Sequence, residues 1–345
     1  MSVTIKDVAR LADCSIKTVS RVINNEPHVS DKVRARVLDA IRKSGYAPNL
    51  AARRLVQQRS FAICILLYPG FDQPTSSLLS RVLDIGYEEN YEILLHSYFP
   101  MLAPSRNQLV ERINQRRYDG YVITPPCDAD GFLTDLLTTY KIPFVLINPL
   151  NRSTEFPYVA GSDYHGAYEM TEHLLQLGHQ RISFFMGPRN MRSTFDRLNG
   201  YRAALDDHQT AFDPALQRDS EFTFDGGYLA TRDLFSQPNP PTAIFAGSDT
   251  AAFGALFAAQ ELGISVPAQL SIAGHDDLPA AKTVFPGLTT VHQPGEELIE
   301  QAVRLLIDII DARPDIPTHS ILPSHLMLRA STAPPREVTN QNLHP

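Results

Sequence analysis

Cysteine is scarce in this 345-residue chain: Cys14, Cys64 and Cys127 are the only three, scattered and odd in number. None of them forms a CxxC pair, so no disulfide framework and no zinc site is expected, and buried free thiols are the simplest reading. No apolar run approaches the roughly eighteen residues that span a bilayer, which removes a membrane partner. The opening Met1-Ser2-Val3-Thr4 lacks the charged start, apolar stretch and small-residue cleavage site of a secretory signal, so the expected location is the cytoplasm. GxSxG, HExxH and phosphate-loop patterns are missing as well; catalysis has no candidate constellation, and neither an enzyme nor a cofactor is expected.

What is present is ordinary in amount but uneven in placement. Hydrophobic residues make up 43% and charged residues 20%, as in a soluble globular protein, and the length suits a small module plus two medium domains. Residues 1–60 hold 12 Lys and Arg against 5 Asp and Glu, whereas residues 61–345 hold 19 against 33. A basic head on an acidic body confines an electrostatic footprint for phosphate to one end of the molecule.

The head reads as three short helices. Asp7 to Ala12 carries Val8, Ala9 and Ala12 at helical spacing, Asp13 and Cys14 make a turn, and Ser15 to Ile23 carries Val19 and Ile23. Asp13 takes a turn position that favours a left-handed backbone, which Asp tolerates. Ser30 then precedes a third helix with Val33, Val37, Leu38 and Ile41 on its packed side, five Lys and Arg on the other, and Gly45 at its end. Pro48 breaks that helix, and Asn49 can cap a short one over Leu50 to Val56.

From Phe61 onward, short apolar strands alternate with amphipathic helices. Phe61 to Leu67, Glu92 to His96, Asp119 to Ile123 and Pro143 to Ile147 form one series; Arg181 to Met186, Thr242 to Ala246 and Leu270 to Ala273 form a second. That alternation predicts parallel α/β sheets in two wound subdomains, with ligands outside the carboxyl ends of the strands. The fold class is thus an all-α helix-turn-helix head followed by an α/β body with two parallel-sheet subdomains.

A helix-turn-helix places the start of its second helix against base edges, here Ser15, Ile16, Lys17, Thr18, Ser20 and Arg21. Ile16 and Lys17 are the expected sequence readers, Arg21 can bridge a guanine, and Thr18 and Ser20 are short enough to anchor on phosphate. Leu55 beside Arg53 and Arg54 suits an apolar wedge in the minor groove, flanked by phosphate-seeking cations. A short isolated helix is marginal in water, so the hinge is expected to form only when DNA and a partner helix bury Leu55.

Thr4 to Ala9, Thr18 to Asn24, Tyr46 to Asn49 and Ala52 to Leu55 together resemble the LacI/GalR family of bacterial transcription regulators. The resemblance extends over residues 4 to 335 through Asp119-Gly120, Glu172-His173-Leu174, Leu177-Gly178-His179, Arg197 to Tyr201, Pro241-Thr242-Ala243 and Gly287 to Val291. It implies a periplasmic-binding-protein-like body with three crossings between subdomains, and dimers on pseudopalindromic operator DNA. The expected division is 1–46 for the head, 47–60 for the hinge and 61–335 for the effector and dimerisation domain, with 336–345 as tail. Within the body, about 61–160 plus 293–320 form one subdomain and 161–292 plus 321–335 the other.

By the same resemblance Thr4, Asn24, His28, Ser30, Tyr46 and Asn49 stand at backbone-contacting positions, and Ala52 and Leu55 at minor-groove positions. Arg197 and Asp276 correspond to the effector clamp and ligand-binding acid, Phe222 to a stacking aromatic, and Ser193, Asn148, Thr124 and Tyr68 to other cleft-facing strand ends. Ser248 departs from the amide usual there. The expected effector is a sugar or sugar derivative, with a purine or nucleoside as the alternative. A non-DNA-binding sugar-binding protein and control by a phosphocarrier protein are further alternatives, and the tail shows no apolar heptad for a coiled coil, so a homodimer is the expected assembly.

Overall fold

Residues 3–23, 29–46, 59–69, 76–152 and 155–336 are described by the computed structural model, and the chain divides into two units, Met1–Phe61 and Ala62–Pro345. In the first unit, α1 (Ile5–Leu11), α2 (Ile16–Ile23) and α3 (Asp31–Ser44) enclose a core of Val8, Ala9, Ala12, Val19, Val22, Val37 and Ala40. Helix α1 starts where Asp7 Oδ2 accepts the Thr4 amide at 3.0 Å and the Thr4 hydroxyl at 2.7 Å. Asp13 does adopt φ +45°, and Arg36 of α3 donates to its carbonyl at 3.2 Å, tying the turn to the third helix. Ser15 Oγ accepts the Thr18 amide at 3.1 Å and begins α2. Leu38 corrects the expected packing of α3: it is 46% exposed. Val37 occupies the core line with Ala40, and the next residue is rotated about 100° away toward solvent. Gly45, at φ +64°, ends α3 in a left-handed cap. The expected hinge helix over Leu50 to Val56 lies outside the described residues.

The second unit holds two parallel sheets. The first runs β11-β5-β4-β3-β1-β2, from β1 (Ala62–Leu67), β2 (Glu92–Ser97), β3 (Gly120–Ile123), β4 (Phe144–Ile147), β5 (Tyr158–Gly161) and β11 (His319–Leu322). Its helices are α4 (Ser76–Glu89), α5 (Ala103–Asn114), α6 (Phe132–Thr139) and α11 (Gly295–Ile310). The second sheet runs β7-β6-β8-β9, from β6 (Ile182–Met186), β7 (Gln217–Asp219), β8 (Ala243–Ala246) and β9 (Ser271–Ala273). Around it lie α7 (Asp163–Gln176), α8 (Arg192–Asp207), α9 (Phe224–Phe235) and α10 (Asp249–Glu261). The interior strands β1, β3, β4, β6 and β8 are buried almost throughout, as parallel strands covered on two faces must be, whereas the edge strands β2, β7 and β11 are partly exposed.

Three segments join the subdomains: residues 161–163, residues 292–295 and residues 322–325, the last two flanking the antiparallel pair β10 (Thr290–His292) and β12 (His325–Met327). Strand β11 pairs with β5 through Leu322, two residues beyond the expected return at 320. No helix of the described residues is long and apolar enough to cross a membrane.

One buried histidine knits the second sheet to the chain's last described segment. His179 is 1% exposed; its Nδ1 meets Thr242 Oγ1 at 2.9 Å, and its Nε2 meets Ser271 Oγ and the Ala333 carbonyl, both at 3.0 Å. Removing it takes one partner from each of three polar groups, which keep only their bonds to one another and to the Arg181 carbonyl, and leaves a void. His179→Ala is therefore expected to cost about 2–4 kcal/mol of unfolding free energy in urea titrations; a loss below about 1 kcal/mol would contradict this account.

Candidate functional site

On the head, the start of α2 forms the outward edge of the helix pair. Ser15, Ile16, Lys17 and Arg21 are exposed, Thr18 and Ser20 half-buried. Thr18 Oγ1 lies 2.9 Å from Ser15 Oγ, so these two hydroxyls set each other's orientation at the helix start. Ile16, at 45% exposed, presents an apolar side chain next to Lys17. Thr4 and Ser30 are exposed, while Tyr46 packs half-buried against the three-helix core. Asn24, His28, Asn49, Ala52, Arg53 and Leu55 lie outside the described residues.

In the second unit a cleft of about 830 Å³ opens between the subdomains at the carboxyl ends of the strands. Of the expected effector residues, Tyr68, Thr124, Ser193, Arg197, Phe222, Ser248 and Asp276 line it. Asn148 does not: at φ +45° its Oδ1 accepts the Gly161 amide at 2.8 Å, so it holds the first crossing instead. The cleft walls differ. Leu67, Pro69, Pro125, Pro126, Ile147, Leu298 and Ile299 make the first subdomain's side apolar, and the polar lining comes mainly from the second.

Arg197 organises that polar wall from the first turns of α8. Its Nε donates to Asp163 Oδ1 at 2.9 Å, Nη1 to the Gly247 carbonyl at 2.5 Å and Nη2 to Asp276 Oδ1 at 3.1 Å. Burial alone would lower its pKa; the Asp276 and Asp163 carboxylates overturn that and hold it above the ordinary guanidinium value. Asp276 is the converse case, raised by burial against the pull of Arg197. Asp249 sits behind it, well above the carboxylate range through burial and the nearby Asp276, although Thr290 Oγ1 donates to it at 2.5 Å and the Leu278 amide at 2.8 Å.

The backbone around this wall is held in costly conformations. Glu221, Phe222, Asp276 and Asp277 all have positive φ, with Asp276 at +120°. Asp276 and Asp277 point apart through this left-handed backbone: Asp276 meets Arg197, whereas Asp277 pairs with Arg329 and, at 3.2 Å, with His292. The Phe222 ring lies over Gly187 and Gly247, where an added Cβ would come within 2.1 and 2.8 Å of it, and the Arg197 guanidinium is 5.2 Å from its centroid. Ser248 uses its hydroxyl locally, accepting the Ala251 amide at 3.2 Å as the cap of α10 and donating to the Phe222 carbonyl at 3.3 Å.

Sequence reasoning missed Asp163, Gln293 and the part played by His275. Asp163 opens α7 directly after β5, a strand of four residues that periodicity did not mark. Gln293 donates from Nε2 to the same Asp163 oxygen at 2.8 Å. His275 is fully buried, stacked near Phe245 and 3.3 Å from Asp276 Oδ1.

Residues 4–49 match the family model of bacterial regulatory proteins of the lacI family, and residues 171–332 that of the periplasmic binding protein-like domain. The HTH-type transcriptional repressor PurR of Proteus mirabilis (strain HI4320) is 32% identical over 332 residues, covering 96% of this chain and 97% of that protein. Among solved structures, the transcriptional regulator CelR–cellobiose complex superposes with a TM-score of 0.74 at 29% identity, covering 95% of this chain and 99% of that one. The lac repressor dimer bound to operator and the anti-inducer ONPF gives 0.76 at 26% identity, covering 96% and 100%. The chain belongs to the LacI family of bacterial regulatory proteins. It is a DNA-binding transcriptional regulator with an effector-binding unit, and not an enzyme.

The buried His275 gives the sensor a pH signature. Burial, with Arg197 beside it, pushes its pKa well below the usual imidazole value. The unfolded chain then binds a proton that the folded chain refuses, so stability is full above about pH 6.5 and falls as pH drops below it. Replacing His275 with Gln is expected to flatten the stability-versus-pH curve between pH 5 and 6.5 by up to about 1.4 kcal/mol per pH unit. An unchanged slope in urea titrations across that range would show that the imidazole titrates as if exposed.

Proposed function

We propose that this regulator represses transcription as a homodimer on pseudopalindromic operator DNA and is controlled by a neutral carbohydrate bound in the cleft. The charge balance of the cleft carries the effector class. Among the described lining residues the charged ones are Arg197, Glu221 and Asp276, and the single cation is already engaged by Asp163 and Asp276. An anionic effector would face uncompensated carboxylates, whereas a polyhydroxylated neutral ring meets acceptors at Asp276, hydroxyls at Ser193 and Thr124, and an aromatic at Phe222. The cellobiose held by CelR fits the same chemistry. The apolar wall gives the purine or nucleoside reading its support, since Pro125, Ile147 and Leu298 offer a dry face to a flat ring.

In this reading the head is 1–46 and the hinge 47–60, with Ile16, Lys17 and Arg21 reading bases and Thr18 and Ser20 placing the helix on phosphate. A second copy is favoured by the lac repressor dimer on operator, whose fold matches this chain over 96% of its length.

Gel shifts on the DNA upstream of the chain's own gene, with neutral sugars, sugar phosphates, uronates and nucleobases added in turn, test the effector class. A neutral sugar should change operator affinity by about 5-fold or more; a response confined to anionic sugars would sink the charge argument. Arg197→Ala should abolish that response and leave operator binding within a factor of about 3, well under the coupling an effector exerts. Lys17→Ala should change which operator variants bind best, and an equal loss on every sequence would remove its assignment as a base reader.

A further inference from the structure

Asp196, next to Arg197 on α8, belongs to a second buried ion group that the effector reading does not use. Its carboxylate is 7% exposed, accepts Arg192 Nε at 2.7 Å and forms an ion pair with Arg152 Nη1 at 3.2 Å. Arg192 is a neighbour by construction, four residues back on the same helix. Arg152 is not: it stands between β4 and β5, in the subdomain of the first sheet, while α8 packs on the second. This ion pair therefore reaches from one subdomain to the other.

The other arm of Arg152 ends on the first crossing. Its Nη2 donates to the Gly161 carbonyl at 3.3 Å, and the amide of the same glycine donates to Asn148 Oδ1 at 2.8 Å. Against the α-carbon of Gly161 lies Gln293 of the second crossing, whose Oε1 would stand 2.5 Å from an added Cβ. Gln293 also bonds Asp163 Oδ1, the oxygen that receives Arg197. One glycine thus gathers a residue from the second crossing and two from the first subdomain, and one of those two continues to α8.

We propose that Arg152 is a positioning residue that clasps the two subdomains, spanning the Gly161 carbonyl and Asp196, and so sets how often the cleft opens. Rotation about the crossings carries Arg152 and Asp196 with different bodies. Separating them leaves a carboxylate with one partner in place of two and an arginine, only 20% exposed, with none of its charge matched by Asp196. Opening is then resisted by a local ion contact as well as by the packing of the walls. The consequence for effector binding rests on the cleft being the effector site; the clasp itself is measured without ligand.

Hydrogen exchange on the full chain without added small molecule reads it. Arg152→Gln should speed exchange in peptides covering residues 158–168 and 290–298 by about 3- to 10-fold, between the ranges for an exposed ion pair and a hydrogen bond to a buried charge. Exchange in α9 and α10 should not change. Asp196→Asn should reproduce the effect and the double variant should add nothing to it, whereas Arg192→Gln, which removes only the partner on the same helix, should leave the crossings as they were. Unchanged crossings in Arg152→Gln, equal acceleration by Arg192→Gln, or acceleration spread evenly over the whole chain would each overturn the clasp. Loosened crossings in a protein whose parent ignores every neutral sugar would keep the clasp and sink the effector reading instead.

Discussion

A guanidinium withdrawn from water must be matched or it destabilises the fold by several kcal/mol, and the sensor is arranged around meeting that demand at Arg197. Its partners come from three places in the chain: Asp163 at the start of α7, Gly247 after β8 and Asp276 after β9. Each partner stands at the carboxyl end of a strand or just beyond it, where the parallel topology brings distant segments within reach. Strained backbone at Phe222 and Asp276 is the cost of aiming those groups, and the hydrogen bonds onto Arg197, Asp249 and Asp163 are what hold it.

The matched ion group is what makes a cleft with a buried arginine compatible with the proposed neutral ligand. Arg197 offers its remaining N–H groups from a site where carboxylates already outnumber the cation, so it acts on a ligand as a donor fixed in direction and much less as a free positive charge. The head obeys the opposite rule. There Lys17 and Arg21 stand exposed beside an apolar Ile16, and residues 1–60 carry 12 Lys and Arg against 5 Asp and Glu. The two units thus divide electrostatics between them: long-range attraction for a polyanion in one, short-range hydrogen bonding in the other.

Much of this was legible from residue order. The three helices of the head, the left-handed Asp13 and the longer strands all follow from apolar spacing and turn chemistry. The failures share a cause. Leu38 was assigned to the core because apolar character alone does not say which of two adjacent residues faces inward. Strands β7, β10, β11 and β12 mix polar residues with apolar ones and so lack the apolar run that marked the equally short β3, β4 and β8; β5 was missed as well, and with β5 unseen the role of Asp163 could not be read. Asn148 sits at a strand end like its cleft-lining counterparts, yet a positive φ turns its side chain onto Gly161. A backbone angle of that kind leaves no trace in composition.

The two ion groups meet on α8, and the helix geometry makes them inseparable. Ser193 and Arg197, four residues apart, share the face that lines the cleft; Arg192 and Asp196, also four apart, share the adjacent face. Each pair is rotated about 100° from the other, so α8 carries the ligand-facing row and the Arg152-facing row on a single rigid rod. In the proposed effector reading, a ligand that shifts Arg197 by a fraction of an ångström would shift Asp196 with it, and because packed interiors deform little, the displacement would be delivered to Arg152 and the crossing at Gly161. Coupling between cleft and crossing therefore requires no chain of soft intermediates; it follows from two adjacent residues of opposite charge on one helix whose partners lie in different parts of the fold.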